Sequence, residues 1–387
     1  MQIKNDIYYV GVKDDSIDLF EGQFVVPEGV SYNSYLIRDE KTAVFDTVDK
    51  NFYDEWLKNV LAANDGKAPD YIIILHVEPD HSANVARFLT EFPSVTIVGN
   101  AKTFVMLKNF FGNDYSDRRV IVKDGGTLSL GKHVLKFVFA PFVHWPEVMV
   151  CYDETDKVLF SADGFGRFGN PDESEEWDCE ARRYYFGIVG KYGAQVQTLL
   201  KKAAALKIET ICPLHGPVLT ENLSHYLNLY DIWSSYRSES KGVFIAYTSV
   251  YGHTKQAAEL LKDKLESKGV KVAISDLARS DWAENVEDAF RYDRIVLATT
   301  TYNGDIFPYM REFIEHVTLR NIKNKRIGII ENGSWMPVAA KVIKSMFADS
   351  KDIVFAENTV RIFSSLSPEN EKETELLAEE FSKELSE

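Results

Sequence analysis

The sequence predicts an α/β protein of two domains, a layered α/β first half and a doubly wound second half with five parallel strands. Three observations carry this. At 387 residues the chain is longer than one ordinary core organises. From residue 243 onward, buried-strand patterns alternate with amphipathic helix patterns. Between the halves, YDIWSSYRSESKG (230–242) is polar, Ser-rich and ends in Gly, so the boundary falls near residue 241, giving domains 1–241 and 242–387.

The first half reads as short strands with few long helices. GVSYNSYLIRDEKTAVFDT reads as a hairpin whose second strand ends at Asp46. YIIILH (71–76), TIVGN (96–100), GKHVLKFVFA (131–140), MVCYD (149–153) and KVLFSAD (157–163) are the next strands. Helices are expected over 51–63, 82–91, 101–111 and 193–206. Strands here end repeatedly at a polar residue: Asp46, His76, Asp163, and His215 after IETICPLH. Sites built from adjacent strand ends have this pattern in layered α/β folds.

The second half is regular. VFIAYTS is followed by a helix at 254–268, KVAISDL, a helix at 281–290, DRIVLATTT and a helix at 308–319. KRIGIIEN, a helix at 336–347, DIVFAEN and a helix from 368 complete it. Ligands of such a sheet are expected at the carboxyl ends of its strands.

Composition narrows the partners. A net charge of −15 disfavours nucleic acid. No apolar run is long enough to span a membrane, and the N-terminal stretch has no secretory h-region, so a cytoplasmic protein is expected. Cys151, Cys179 and Cys212 are widely spaced, without a CxxC pair. That argues against a disulfide framework and against an iron–sulfur or rubredoxin-type site in this chain.

Three loops of the second half suggest a ligand. Thr248-Ser249-Val250-Tyr251-Gly252-His253-Thr254 lies between a strand and a helix, where hydroxyls and backbone N–H groups make an anion site. It matches neither GxGxxG nor a Walker loop, and an ordinary Ser/Thr N-cap would account for it equally well. Thr300-Thr301-Tyr302-Asn303-Gly304 and Asn332-Gly333-Ser334-Trp335 each set an aromatic beside small residues after a buried strand. Tyr302 and Trp335 could cover a flat ring system, or simply pack at a domain interface.

Residues 243–387 resemble a flavodoxin domain, the first loop standing where flavodoxins carry T/S-x-T-G-x-T. Tyr251 replaces a Thr and His253 a frequent Asn, leaving Ser249, Gly252 and Thr254 as the better phosphate ligands. The resemblance implies FMN as the cofactor.

The first half carries His76, Glu78, Asp80 and His81 in HVEPDH. On a continuing strand the first three would share one face, which like charges tolerate only with a cation present. If the strand ends there, Pro79 shapes the turn and His81 can reach the same pocket, with a helix starting at His81-Ser82-Ala83-Asn84. His144, Asp163 and His215 are further ligand candidates. Four His, one Glu and two Asp suffice for two metals sharing a carboxylate, and iron, manganese or zinc would suit them. His133, His225, His253 and His316 lack such company.

The H-x-E-x-D-H pattern is similar to the H-x-H-x-D-H of the metallo-β-lactamase superfamily, with Glu78 in place of the second His. That implies an αββα sandwich, and the added negative charge favours a redox-active di-iron centre over zinc. Joined to a flavodoxin half, and with H-W-P at His144 and H-G at His215, the whole chain resembles the flavodiiron proteins. By that resemblance His76, Glu78 and His144 hold one iron; Asp80, His81 and His215 hold the other; Asp163 bridges. It implies reduction of O2 to water or of NO to nitrous oxide. Electrons would pass through FMN from a separate donor such as rubredoxin or reduced F420. A head-to-tail homodimer, or a dimer of dimers, would bring one subunit's FMN to the other's irons. A zinc-dependent hydrolase with a fused flavodoxin, or a di-iron O2/NO sensor, are the competing readings.

Overall fold

The computed structural model describes residues 1–171 and 177–383. It contains two compact units, one of Met1–Tyr185 with Ala194–Asp231 and one of Phe186–Gly193 with Ile232–Glu387.

The first unit is built on two sheets. The seven-stranded sheet runs Gln2–Lys4, Ile7–Tyr9, Tyr35–Ile37, Ala43–Phe45, Tyr71–Ile73, Thr96–Gly99 and Arg119–Ile121, in that spatial order. The five-stranded sheet holds Thr127–Ser129, Val134–Phe139, Met149–Asp153, Val158–Phe160 and Thr210–Cys212. The sheets meet through aromatic rings: Phe160 of the second stacks on Phe45 of the first at 4.0 Å and tilts against Tyr35 at 5.6 Å. Such contacts between two apolar inner faces are what a layered sandwich needs.

Several strand ends differ from the sequence reading. The hairpin expected in 29–47 is three strands, with Val30–Tyr32 pairing to Val12–Asp14 in a separate ribbon. Only Tyr35–Ile37 and Ala43–Phe45 form the hairpin. The strand expected over 71–76 stops at Ile73. The reason is Asp46, in a left-handed turn at φ 53°. Its carboxylate accepts the backbone N–H groups of Leu75 and His76 at 2.9 and 3.2 Å, where a neighbouring strand would otherwise pair. The helix expected from residue 82 begins earlier, as the short turn Pro79–Ser82, because Pro79 sits well at a first helical position. The helix expected to start at 51 opens with a tighter turn over Lys50–Phe52. The polar stretch 230–242 is not a free linker: helix Leu223–Ser234 enters it and strand Ser240–Tyr247 leaves it.

The second unit follows expectation closely. Its main sheet is parallel, in the order Val272–Asp276, Ser240–Tyr247, Tyr292–Tyr302, Lys325–Asn332, Ile353–Ile362, with Asp305–Ile306 pairing back onto the third. Chain order therefore reverses beside Ser240–Tyr247, the switch point at which doubly wound sheets bind ligands. Helices His253–Ser267 and Pro368–Lys383 cover one face, burying Leu261, Leu265, Leu377 and Phe381 against Val243, Ile245 and Ile330. Gly328 permits that approach, since a Cβ there would meet Phe381 at 3.0 Å. The helix expected from 336 starts at Ala339, after Pro337. No helix among the described residues is long and apolar enough to cross a membrane.

Candidate metal and flavin sites

All seven side chains singled out in the first half come together in two adjacent sets. His76, Glu78, His144 and Asp163 form one, and Asp80, His81 and His215 the other. In the first, Glu78 Oε2 lies 3.1 Å from His76 Nε2 and 3.0 Å from His144 Nε2. Asp163 Oδ2 lies 3.3 and 3.1 Å from the same two nitrogens. In the second, His81 Nε2 and His215 Nε2 face each other at 2.9 Å, and Asp80 Oδ2 is 3.3 Å from each. Asp163 turns its other oxygen, Oδ1, to this set, 3.8 Å from His81 and 4.0 Å from His215. One carboxylate thus addresses both sets.

The geometry fits cations. Two imidazole nitrogens facing each other cannot satisfy one another unless one carries a proton, and Asp80 Oδ1 and Asp163 Oδ1 accept no hydrogen bond among the described residues. Donor separations of about 3 Å are those of groups sharing one ion about 2.1 Å away. Imidazole with carboxylate and no thiolate suits iron, manganese or zinc.

Charge in the two sets differs. Burial disfavours a charged His76, but Asp163, Glu147 and Glu78 outweigh it and hold its pKa well above the usual histidine range. Burial is likewise overcome at His144, raised to about 9 by Asp163 and Glu78. Burial would raise Glu78 and Asp163, yet the surrounding imidazoles hold both below the ordinary carboxylate range. His81 goes the other way, pushed down to about 4 by burial and by His215, against the pull of Asp80.

Groups behind the donors fix their orientation. Glu147 is fully buried; its Oε1 receives His76 Nδ1 at 2.9 Å and the Val77 N–H at 2.9 Å. The Ser31 carbonyl accepts His215 Nδ1 at 2.8 Å. A ring nitrogen committed in this way leaves Nε2 as the free donor atom. The sequence reading missed both. Glu147 could have been found as the carboxylate closing His144-Trp145-Pro146-Glu147; a backbone carbonyl leaves no signal. Aromatic rings enclose the sets: Phe20, Tyr32 and Tyr184 around His215 at 5.3–6.1 Å, and Trp145 edge-on to His76 at 5.3 Å.

The remaining histidines are placed differently. His133 does have carboxylate company, contrary to expectation: buried, it meets Asp153 Oδ2 at 2.9 Å, with Asp156 beside it. Asp153 also receives the N–H groups of Thr155 and Asp156, so the pair closes a turn. His225 pairs with Asp178 at 2.8 Å, and His316 stacks on Trp282 at 4.2 Å.

In the second unit the three loops form one rim. Asn332 Nδ2 reaches the buried Thr254 hydroxyl at 3.4 Å, tying the third loop to the first. Thr301 Oγ1 accepts the Val338 N–H at 3.0 Å, tying the second loop to the stretch after the third. Thr248 and Thr299 share a buried hydroxyl contact at 2.7 Å, and Ser249 Oγ accepts the Gly252 N–H at 3.1 Å. Gly252 (φ 93°) opens helix His253–Ser267, and nothing lies within 4 Å of where its Cβ would be; Gly304 (φ 75°), next to Asn303, is equally open. Ser334 Oγ bonds Ser364 Oγ at 2.9 Å. By contrast Gly333 is closely packed, with Pro337 2.9 Å from a Cβ position. Tyr251 and Trp335 are 90% and 87% exposed, and Tyr302 is also exposed, so none of them packs as a core ring. A helix N-terminus, two open glycines and free aromatic faces on one rim fit a phosphate-bearing flat cofactor.

Comparison with known proteins bears on both units. A family model described as ODP family beta lactamase matches residues 30–216, and a flavodoxin domain model matches residues 244–351. The chain is 30% identical to the flavo-diiron protein FprA2 of Clostridium acetobutylicum, over 94% of each chain. The chain belongs to the flavodiiron proteins. Its relatives include the anaerobic nitric oxide reductase flavorubredoxin of Salmonella paratyphi B, 29% identical over 90% of this chain and 75% of that protein. The crystal structure of the flavodiiron protein from Giardia intestinalis superposes with a TM-score of 0.90 at 27% identity, covering 98% of this chain and 94% of that one.

Proposed function

We propose that this flavodiiron protein reduces O2 to water, NO to nitrous oxide, or both, with two irons per chain in the paired sets and FMN on the flavodoxin rim. The observation that carries it is Asp163 presenting one oxygen to each of two histidine–carboxylate sets, in a chain whose other unit is a flavodoxin fold. His76, Glu78 and His144 would hold one iron and Asp80, His81 and His215 the other, with Asp163 between. Thr248, Ser249, Gly252, His253 and Thr254 would hold the flavin phosphate, Tyr251 standing beside them. Tyr302 and Trp335 would cover the ring, with Thr301, Asn303, Gly304, Asn332, Gly333 and Ser334 around its edge. When bound, the metals would supply the reducing electrons and the FMN a store of further ones. The chain's own residues do the rest. Glu147 and the Ser31 carbonyl hold His76 and His215 in one tautomer, and the ring shell of Phe20, Tyr32 and Tyr184 limits water around His215.

The electron donor is a separate rubredoxin-type protein or a reduced deazaflavin such as F420. The working form is a head-to-tail homodimer or a dimer of dimers in the cytoplasm, with residues 1–241 carrying the metals and 242–387 the flavin. An anaerobic assay with one reduced donor, titrating O2 and NO separately, tests the reading alongside iron and FMN analysis. Turnover of at least one gas by iron- and FMN-loaded protein is expected. Two zinc ions per chain with hydrolytic activity, or gas binding without turnover, would overturn it. Full activity in a strictly monomeric form at high dilution would exclude the dimer.

A further inference from the structure

Behind the metal-site turns lies a second internal space. It is bounded by Val138, Val150 and Leu159 of the five-stranded sheet and by Val196, Leu199 and Leu200 of helix Gly193–Ala203. Its far wall is the metal-site backbone itself: Val143 precedes His144, and Ser161, Gly164 and Phe165 bracket Asp163. The room available to the centre of a water-sized sphere is about 20 Å³, and about 10–15 Å³ suffices for one such molecule.

The lining offers water almost nothing. The Ser161 hydroxyl is committed to the Gly164 carbonyl at 2.6 Å, and the Tyr230 hydroxyl to the Phe165 N–H at 2.5 Å. Tyr230 stacks on Phe165 at 4.1 Å, closing that end with ring faces. A water molecule needs two or more polar partners to enter such a space, so an apolar void stays dry and takes small apolar molecules instead. On the opposite side Leu199, Leu200, Ala203 and Leu206 are only half-buried, which leaves an apolar approach from the surface.

We propose that this void is a binding pocket for one small apolar diatomic molecule, a waiting position beside the Asp163 turn for the gas that the metal centre reduces. The assignment of that gas as O2 or NO rests on the function proposed above; the pocket itself does not.

Xenon reads the pocket without turnover. Crystals of the iron- and FMN-loaded protein pressurised with xenon should show an atom between Leu159, Val196 and Phe165. Ala203→Phe, which places a ring into the void from its half-buried side, should abolish that peak. In steady-state assays the same variant should raise KM for the gas at least about threefold with kcat unchanged, because it removes binding ahead of the chemistry. Leu200→Ala enlarges the void and should strengthen the xenon peak without raising KM, so the proposal stays open to refutation if the Phe variant does not fold. A wild-type crystal with no xenon there overturns the pocket. Xenon bound but KM unchanged in Ala203→Phe overturns its role as a waiting position. Xenon bound in a protein that turns over neither gas upholds the pocket and defeats the functional reading instead.

Discussion

The two candidate sites are made in opposite ways. The metal site draws seven buried or half-buried side chains from four separate stretches of chain, and its imidazoles are aimed by partners of their own, Glu147 and the Ser31 carbonyl. The flavin rim uses three short loops at the ends of parallel strands, leaves Tyr251 and Trp335 almost wholly exposed, and keeps open space at Gly252 and Gly304. A metal ion needs donors at fixed distances and a charge environment set in advance; a flat cofactor needs a helix terminus and ring faces that settle around it. The metal site should therefore be intolerant of single changes and the rim comparatively forgiving.

The sharpest test of that contrast is Glu78→His. Replacing the carboxylate that contacts both His76 and His144 should abolish gas reduction while FMN reduction by the donor proceeds normally. Unchanged turnover would mean that the carboxylate is dispensable. Next in size is Glu147→Gln, which keeps the side chain's shape but weakens its hold on His76 Nδ1. Changes of this kind lower metal affinity or activity by about 10–100-fold, measurable as iron retention against a chelator. Trp335→Ala should cost the rim far less. Losing one ring face is worth about 1 kcal/mol, or about fivefold in Kd for FMN, and the melting temperature of the FMN-free protein should not move. A flavin loss as complete as the iron loss in Glu147→Gln would erase the distinction.

The smallest effect concerns neither site. Asp153, the largest influence, with Asp156 and Asp39 raises His133 above its ordinary pKa despite burial. A raised pKa means the folded state binds the proton more tightly than the unfolded chain. The resulting stabilisation is therefore complete below about pH 6.5 and is lost as pH rises through the folded value. His133→Gln, which cannot titrate, should lower unfolding free energy more at pH 6 than at pH 9. An equal loss at both would show that the ion pair contributes nothing.

What the sequence allowed follows the same division. The flavodoxin half alternates so regularly that strand and helix positions could be read within a few residues, and its loops fell at strand ends because parallel sheets put them there. The metal half was read from chemistry: HVEPDH concentrates too much charge behind an apolar strand to be idle. What could not be read was how that strand ends. The expected strand runs to His76, and only on a continuing strand would His76, Glu78 and Asp80 share one face. The strand stops at Ile73, because the carboxylate of Asp46, thirty residues upstream of His76, takes the N–H groups that would have extended it. The turn at Pro79 then sends Glu78 and Asp80 to different sets. Such long-range side-chain capture leaves no local pattern. Neither does the Ser31 carbonyl behind His215.

The distribution of the seven donors has a mechanical consequence. His76, Glu78, Asp80 and His81 follow a strand of the seven-stranded sheet; His144, Asp163 and His215 follow strands of the five-stranded sheet. Each set takes members from both. An ion in either set is thus a clasp across the sandwich, joining segments up to 135 positions apart in the chain, Asp80 to His215. It can close only after both sheets have formed and met, and it binds the assembled state alone. Metal should therefore govern how long this unit resists proteolysis as well as whether it turns over.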